Sequence, residues 1–233
     1  MNSELPTPII SLPTNGIGSQ RGVSFVIYEL RIYTLKPGMV PEYMKRFADA
    51  YAVRQNYSKM GGMWHQEIGN INQIFHIWPY EDLQQRADIR AAASKDPSGL
   101  WPPKTPELID HQEVEILDPV PGMPDWTGPQ EWGTVYECRI YTYATGGDIG
   151  KAAKSFGEAY AARADVYPVA GIFTTQQGDL NKMYQIFPYK NWAHREEVRA
   201  EFRKRQVWPP QGEVRPIHQR VVFMLPAAFS PIH

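Results

Sequence analysis

Two histidines, His65 and His76, flank a Gly69–Asn72 turn flanked by alternating hydrophobic residues. If that turn is centred on Asn70-Ile71, His65 faces His76 across a hairpin and Met63 faces Trp78. Side chains that face each other directly have Cβ atoms about 4.5–5.5 Å apart. Two imidazoles so placed could serve as acid and base near neutral pH, share a metal ion with a third ligand, or simply hydrogen-bond to each other. Neighbouring strand segments carry further groups on alternate positions: Glu29, Arg31 and Tyr33; His76 and Trp78; His111, Glu113 and Glu115. Arg31 suits an anion clamp and Trp78 a stacking wall, so the set combines aromatics with a few polar groups, as ligand sites do. Arg86 and Arg90 stand at i and i+4, on one face of a helix. They could grip a carboxylate or phosphate, although a solvated face or an ion pair is the simpler reading. The sequence has no glycine-rich phosphate loop and no Ser or Cys nucleophile motif, so no cofactor is expected.

The elements that must carry these residues occur twice. Tyr28-Glu29-Leu30-Arg31-Ile32-Tyr33-Thr34 returns as Tyr136-Glu137-Cys138-Arg139-Ile140-Tyr141-Thr142, identical except at Leu30/Cys138. The segment Phe47 to Arg54 returns as Phe156 to Arg163, Gly69 to Tyr80 as Gly178 to Tyr189, and Trp101-Pro102-Pro103 as Trp208-Pro209-Pro210. The spacing is that of a duplicated domain, longer than the roughly 20–50 residues of a solenoid unit. This divides the chain into a flexible N-terminal extension (1–25), a first domain (26–118), a Pro-rich linker (119–133), a second domain (134–226) and a tail (227–233).

Each half alternates like a strand at 26–33, shows helical spacing over 40–59, forms a hairpin over 63–78 and a polar helix over 81–93, and closes with a strand over 111–117. The second half repeats this at 135–142, 150–166, 172–177, 182–187, 192–206 and 218–225. The order β-α-β-β-α-β is the ferredoxin-like unit, an α+β fold whose sheet has one face left to cover. Either the two halves join into a barrel or each pairs with a half of another chain, and a homo-oligomer is expected. Strand alternation suggests that Leu30, Ile32, Phe75, Ile77, Val114 and Ile116 meet the helices. Glu29, Arg31, Tyr33, His76, Trp78, His111, Glu113 and Glu115 would then line the barrel.

Bulk composition narrows the function. With a net charge of −1, the 233-residue chain has no basic footprint for nucleic acid. No apolar run reaches the roughly 20 residues of a membrane span, and the single cysteine excludes an internal disulfide. Cys138, replacing Leu30 of the first repeat, reads as a small buried apolar residue. Without a secretory leader pattern, the chain is expected in the cytoplasm.

The Tyr-Glu-x-Arg-Ile-Tyr strand at 28–33, the Gly69…Asn72…His76-x-Trp78-x-Tyr80 hairpin and the helix arginine after it resemble the NIPSNAP family. So does Trp101-Pro102-Pro103 ahead of a strand ending in Leu117-Asp118-Pro119. The resemblance covers 26–118 and, more weakly, 134–226. It implies a dimeric α/β-barrel architecture built of two tandem ferredoxin-like units. Other branches of that superfamily include cofactor-free monooxygenases, haem-handling enzymes and lactone isomerases, so a fold is implied but no single reaction. The leading expectation is a small organic ligand, such as an aromatic one, in the barrel lumen, with His65, His76 and Arg31 as candidate catalytic groups and Glu29, Tyr33, Trp78, His111 and Glu113 as ligand contacts. The alternatives are a non-catalytic binding or assembly protein, or a haem protein with His65, His76 or His111 as axial ligand. Ligand-dependent function is expected in the first half, because His65, His76 and Trp78 become Thr174, Gln185 and Phe187 in the second.

Overall fold

The computed structural model describes residues 26–124, 126 and 128–233; the N-terminal extension lies outside the described residues. The first half runs β1 (Ile27–Leu35), α1 (Val40–Arg54), β2 (Gly62–Ile68), β3 (Gln73–Tyr80), α2 (Leu83–Ser94) and β4 (Ile109–Pro119). The second runs β5 (Val135–Thr142), α3 (Ile149–Ala164), β6 (Gly171–Gln177), β7 (Lys182–Tyr189), α4 (Trp192–Arg205) and β8 (His218–Pro226). Local chemistry sets the boundaries. Asp82 and Asn191 cap α2 and α4 by accepting from the backbone N–H groups of Gln85 and His194, a favourable use of side chains that would disfavour helix interiors.

All eight strands close one barrel in the order β1-β3-β2-β8-β5-β7-β6-β4. Each half supplies a four-stranded sheet, and two antiparallel seams join them: β2 with β8 (Trp64 opposite Pro226, His65 opposite Leu225) and β4 with β6 (Asp118 opposite Thr174). The duplication therefore closes the barrel within one chain, leaving no unpaired sheet edge.

The strand faces of β1 and β3 are reversed from the sequence expectation. Leu30, Ile32, Phe75 and Ile77 point into the barrel, where they pack with Tyr136, Cys138, Ile140, Tyr184, Ile186, Val222 and Met224 of the other half. Arg31 and its face partners lie outside, under the helices: Tyr33, Ile74 and Trp78 pack with Tyr43, Phe47 and Tyr51 of α1. On β4 the two faces alternate as expected, but of the residues assigned to them only Glu115 is buried on the lumen side and only Ile116 packs beneath the helices, His111, Glu113 and Val114 being exposed. Glu115 is opposite Leu30 and Glu113 opposite Ile32 on the lumen side, while Val114 is opposite Arg31. The two expected groups thus mixed faces, because alternation separates two faces without saying which is inner, and here both faces of each sheet are covered. An eight-stranded barrel is just wide enough for side chains to fill. Its interior is packed with apolar side chains from both halves and bordered by Glu115, whose carboxylate is 3.2 Å from Lys182 Nζ. Burial pushes the Cys138 thiol up to about 12, in keeping with an inert core residue.

Because both halves share this core, they should unfold together. Ile77→Ala, at a fully buried lumen position, is expected to cost about 2–5 kcal/mol while denaturation remains one cooperative transition by both near-UV and far-UV circular dichroism. Two separated transitions would show that the halves are independent folding units.

Candidate functional site

The buried polar residues of β1 form one connected group. Glu29 is completely buried and its Oε1 accepts from Arg31 Nη1 at 2.6 Å and Arg86 Nη2 at 2.7 Å, with Arg90 Nη1 at 3.5 Å. Burial alone would raise the Glu29 carboxyl, but Arg31, Arg86 and Arg90 together hold it below the usual range. The i,i+4 spacing that predicted a shared helix face for Arg86 and Arg90 is realised, and that face lies against the sheet. Arg31 Nε also donates to the Tyr33 hydroxyl at 2.6 Å.

Beside this cluster, between the sheet and helices α1 and α2, lies a cavity of about 200 Å³. Its walls include Arg31, Arg90, Arg54, His76, Trp78 and Trp101, with Tyr33, Tyr43, Phe47 and Tyr80 completing an aromatic lining. Arg54, from the last turn of α1, is nearly fully buried. Its guanidinium carbon is 4.5 Å from the centre of the Trp78 ring and 5.6 Å from that of Trp101, a cation–π arrangement. It donates to Ser58 and to the Tyr80 hydroxyl, and has no carboxylate partner among the described residues. Three guanidinium groups (Arg31, Arg86, Arg90) thus share the Glu29 carboxylate, while the cavity itself is lined by three (Arg31, Arg54, Arg90) and by no carboxylate among the described residues.

His76 lies at the inner wall. The indole N–H of Trp78 donates to its Nδ1 at 2.8 Å. Since that indole can only donate, Nδ1 carries no proton, and the neutral ring must carry one on Nε2. That N–H is buried with no protein acceptor. Burial, then Arg31 and Arg90, push the imidazole well below its ordinary range. The ring is held neutral, as a hydrogen-bond donor, and its other nitrogen is blocked as a base.

His65 does not join it. The hairpin pairs His65 with Ile74 and Met63 with His76, so the expected direct histidine pairing is incorrect. Asn70 accepts from the Gln73 N–H, and the pairs Gly62–Ile77, Met63–His76, Trp64–Phe75 and His65–Ile74 centre the hairpin between Gly69 and Asn70. The hairpin is therefore not symmetric about Asn70-Ile71. A two-residue offset keeps the rings on one face but leaves them diagonal, about 7–8 Å apart. His65 instead borders a shallow apolar recess with Met44 and Phe229, 3.9 Å from Glu67. His111 and Glu113 are exposed near each other, 3.5 Å apart, away from the cavity. Of the candidate residues, Arg31, Tyr33, His76 and Trp78 line the cavity and Glu29 sits behind it. Among the described residues no group of three His, Cys, Asp or Glu could hold a metal, and a cavity this size, below the roughly 300–1,000 Å³ typical of drug-sized ligands, does not admit a porphyrin without opening. Sequence reasoning missed Arg54, Tyr43 and Trp101. The repetition of Phe47–Arg54 as Phe156–Arg163, with a buried arginine closing each, was the available signal.

The second half repeats the arrangement: Glu137 is bound by Arg139 at 2.6 Å and Arg195 at 2.5 Å, with Arg199 at 3.7 Å. Gln185 and Phe187 stand at the positions of His76 and Trp78.

The depressed imidazole has a measurable consequence. As pH falls below the unfolded-state value near 6.5, the unfolded chain binds a proton at His76 that the folded chain refuses. Stability is then lost with acidification, by up to about 1.4 kcal/mol per pH unit until the folded-state pKa is reached. Above pH 7 this contribution is flat. His76→Gln, which reproduces the second half, is expected to remove that slope when urea unfolding is compared between pH 7 and pH 5. An identical pH dependence in the two proteins would contradict a buried neutral His76.

Among the described residues no helix is long and apolar enough to cross a membrane. The NIPSNAP family profile matches residues 28–124 and again 136–231. The mouse protein NipSnap homolog 3B is 32% identical over 217 residues, covering 88% of this chain and 85% of its own. Human NipSnap homolog 3A is 30% identical over 219 residues, covering 89% and 86%. Among solved structures, a Fusobacterium nucleatum protein assigned as a monooxygenase superposes with a TM-score of 0.60 at 10% identity, over 88% of this chain and 94% of that one; at that identity the likeness shows the fold alone. With two tandem copies of the domain closing one dimeric-α/β-barrel-type sheet, the chain belongs to the NIPSNAP family.

Proposed function

We propose that the protein binds a small planar organic anion in the first-half cavity, outside the barrel, where its negative charge completes the guanidinium cluster. The observation that carries this reading is an aromatic cavity lined by three guanidinium groups, Arg31, Arg54 and Arg90, and by no carboxylate among the described residues. Arg54 is nearly fully buried without a carboxylate partner among the described residues, an arrangement that costs free energy and that an anionic ligand relieves. Trp78, Trp101, Phe47 and Tyr43 offer ring faces and edges to a flat body, and His76 offers its Nε2–H to an oxygen of the ligand.

The same geometry changes the chemistry expected of the site. A histidine acid–base pair is not formed: His65 is elsewhere, Nδ1 of His76 is occupied, and Glu29 is held by arginines. What the cavity supplies instead is stabilisation of negative charge, which lowers the pKa of a bound phenol or enol. A cofactor-independent oxygenase or isomerase acting here would work on an acidic substrate whose anion the cavity itself favours, with the proton leaving to solvent. Arg31 and Arg90 would be its anion clamp, His76 an oxyanion donor and Trp78 the stacking surface. Without turnover, the same cavity makes a binding protein for such anions.

4-Nitrophenol tests the proposal directly, because its ionised form absorbs visible light. Titrated with the full chain, it is expected to bind with its apparent pKa lowered by about one unit, equivalent to about 1.4 kcal/mol. Arg90→Ala and His76→Gln should each weaken binding of the anion at least tenfold, whereas His65→Thr should leave it unchanged. Binding with no pKa shift, or equal losses from His65→Thr and His76→Gln, would rule the reading out.

A further inference from the structure

A second cavity, of about 130 Å³, lies under the helices of the other half and differs in chemistry from the first. Arg139 of β5, Arg163 of α3, and Arg199 and Arg203 of α4 all line it. The nearby carboxylate, Glu137, is already shared by Arg139 and Arg195, with Arg199 next. Arg163 and Arg203 have no carboxylate partner among the described residues.

Arg163 is the most telling of these. It is 1% exposed, and its guanidinium carbon sits 4.4 Å from the ring centre of Phe202, 4.5 Å from Phe187 and 5.2 Å from Trp208. One Nη donates to the Tyr167 carbonyl at 3.1 Å, and Nε is buried without an acceptor. Burial lowers this guanidinium to about 10, a displacement that a bound anion would reverse.

Two replacements between the repeats reshape the space. In the alignment of α2 with α4, Phe202 stands where Ala93 does and Arg203 where Ser94 does. The Phe202 ring occupies a wall of the second cavity, so the planar slot is smaller, while Arg203 adds a charge. Donors then approach from a strand and two helices. A carboxylate presents two oxygens in one plane, whereas a phosphoryl group presents three or more around a compact centre.

We propose that this second cavity is a distinct site for a compact tetrahedral oxyanion, a phosphate or the phosphoryl end of a small molecule. It does not depend on what the first cavity binds.

The test is a calorimetric titration of the full chain with inorganic phosphate in a chloride buffer near pH 7. Saturable binding is expected, with affinity reduced at least tenfold by Arg203→Ala and by Arg163→Gln. Arg203 is exposed on the last turn of α4, so its replacement tests the site even if Arg163→Gln fails to fold. Lys204→Ala removes a neighbouring exposed cation outside the cavity and should have no effect. Phenyl phosphate binding more tightly than phosphate identifies a phosphorylated molecule as occupant, and weaker binding identifies the free ion; both support the site. Absence of saturable phosphate binding, no loss in Arg203→Ala, or an equal loss in Lys204→Ala would overturn it.

Discussion

A carboxylate with no solvent exposure is the constraint on which the rest of the first half depends. Glu29 lies between sheet and helices, where an unpaired ion would be prohibitively costly. Its partners come from two elements: Arg31 two residues along the same strand, and Arg86 and Arg90 on successive turns of α2. That contact helps to dock α2, in which Ala93 is buried and Ile89 packs partly buried against the core beneath the helices. Ion pairing and this apolar contact together hold the helix to the sheet. Because three guanidinium groups converge on one carboxylate, the interaction that positions the helix also creates the positive surplus beside the cavity.

The barrel makes that arrangement rigid. β1 is hydrogen-bonded on both sides, to β3 and β4, and its inner residues are clamped in a core drawn from both halves. Side chains on the outer face of such a strand have little freedom to turn away. A guanidinium cluster mounted on it is therefore preorganised, which is the condition under which charge stabilisation in a site is effective. The core and the site divide the two faces of the same strand between them, with Leu30 and Ile32 serving one and Glu29, Arg31 and Tyr33 the other.

The elements and the duplication were legible in the sequence because both rest on local periodicity and on direct comparison of one half with the other. Which face of β1 is inner was not. Leu30 and Arg31 alternate equally well whichever side the helices occupy, and the usual cue, polar side out, fails when the polar side lies under helices. The position of His65 was misread for a different reason. A turn's sequence gives its presence more firmly than its centre, and pairing depends on the centre. Arg54 was overlooked because an arginine at a helix C-terminus is ordinarily a surface residue serving the helix dipole. Only tertiary structure shows it turned inward over Trp78 and Trp101.

The differences between the halves acquire a physical meaning once the cavities are seen. The scaffold charges are kept: Glu29, Arg31, Arg54, Arg86 and Arg90 have counterparts in Glu137, Arg139, Arg163, Arg195 and Arg199. Some residues that shape the cavities are kept, Tyr80 and Trp101 as Tyr189 and Trp208, whereas Tyr43, His76, Ala93 and Ser94 correspond to Ala152, Gln185, Phe202 and Arg203. These changes fall on or beside the cavity walls: Phe202 and Arg203 bring bulk and charge to the second cavity, and His76 places a neutral imidazole donor among aromatics in the first. A duplicated barrel can keep its shared core fixed while the two outer cavities diverge, because strand register and lumen packing depend on the opposite side of each strand from the one facing the ligand.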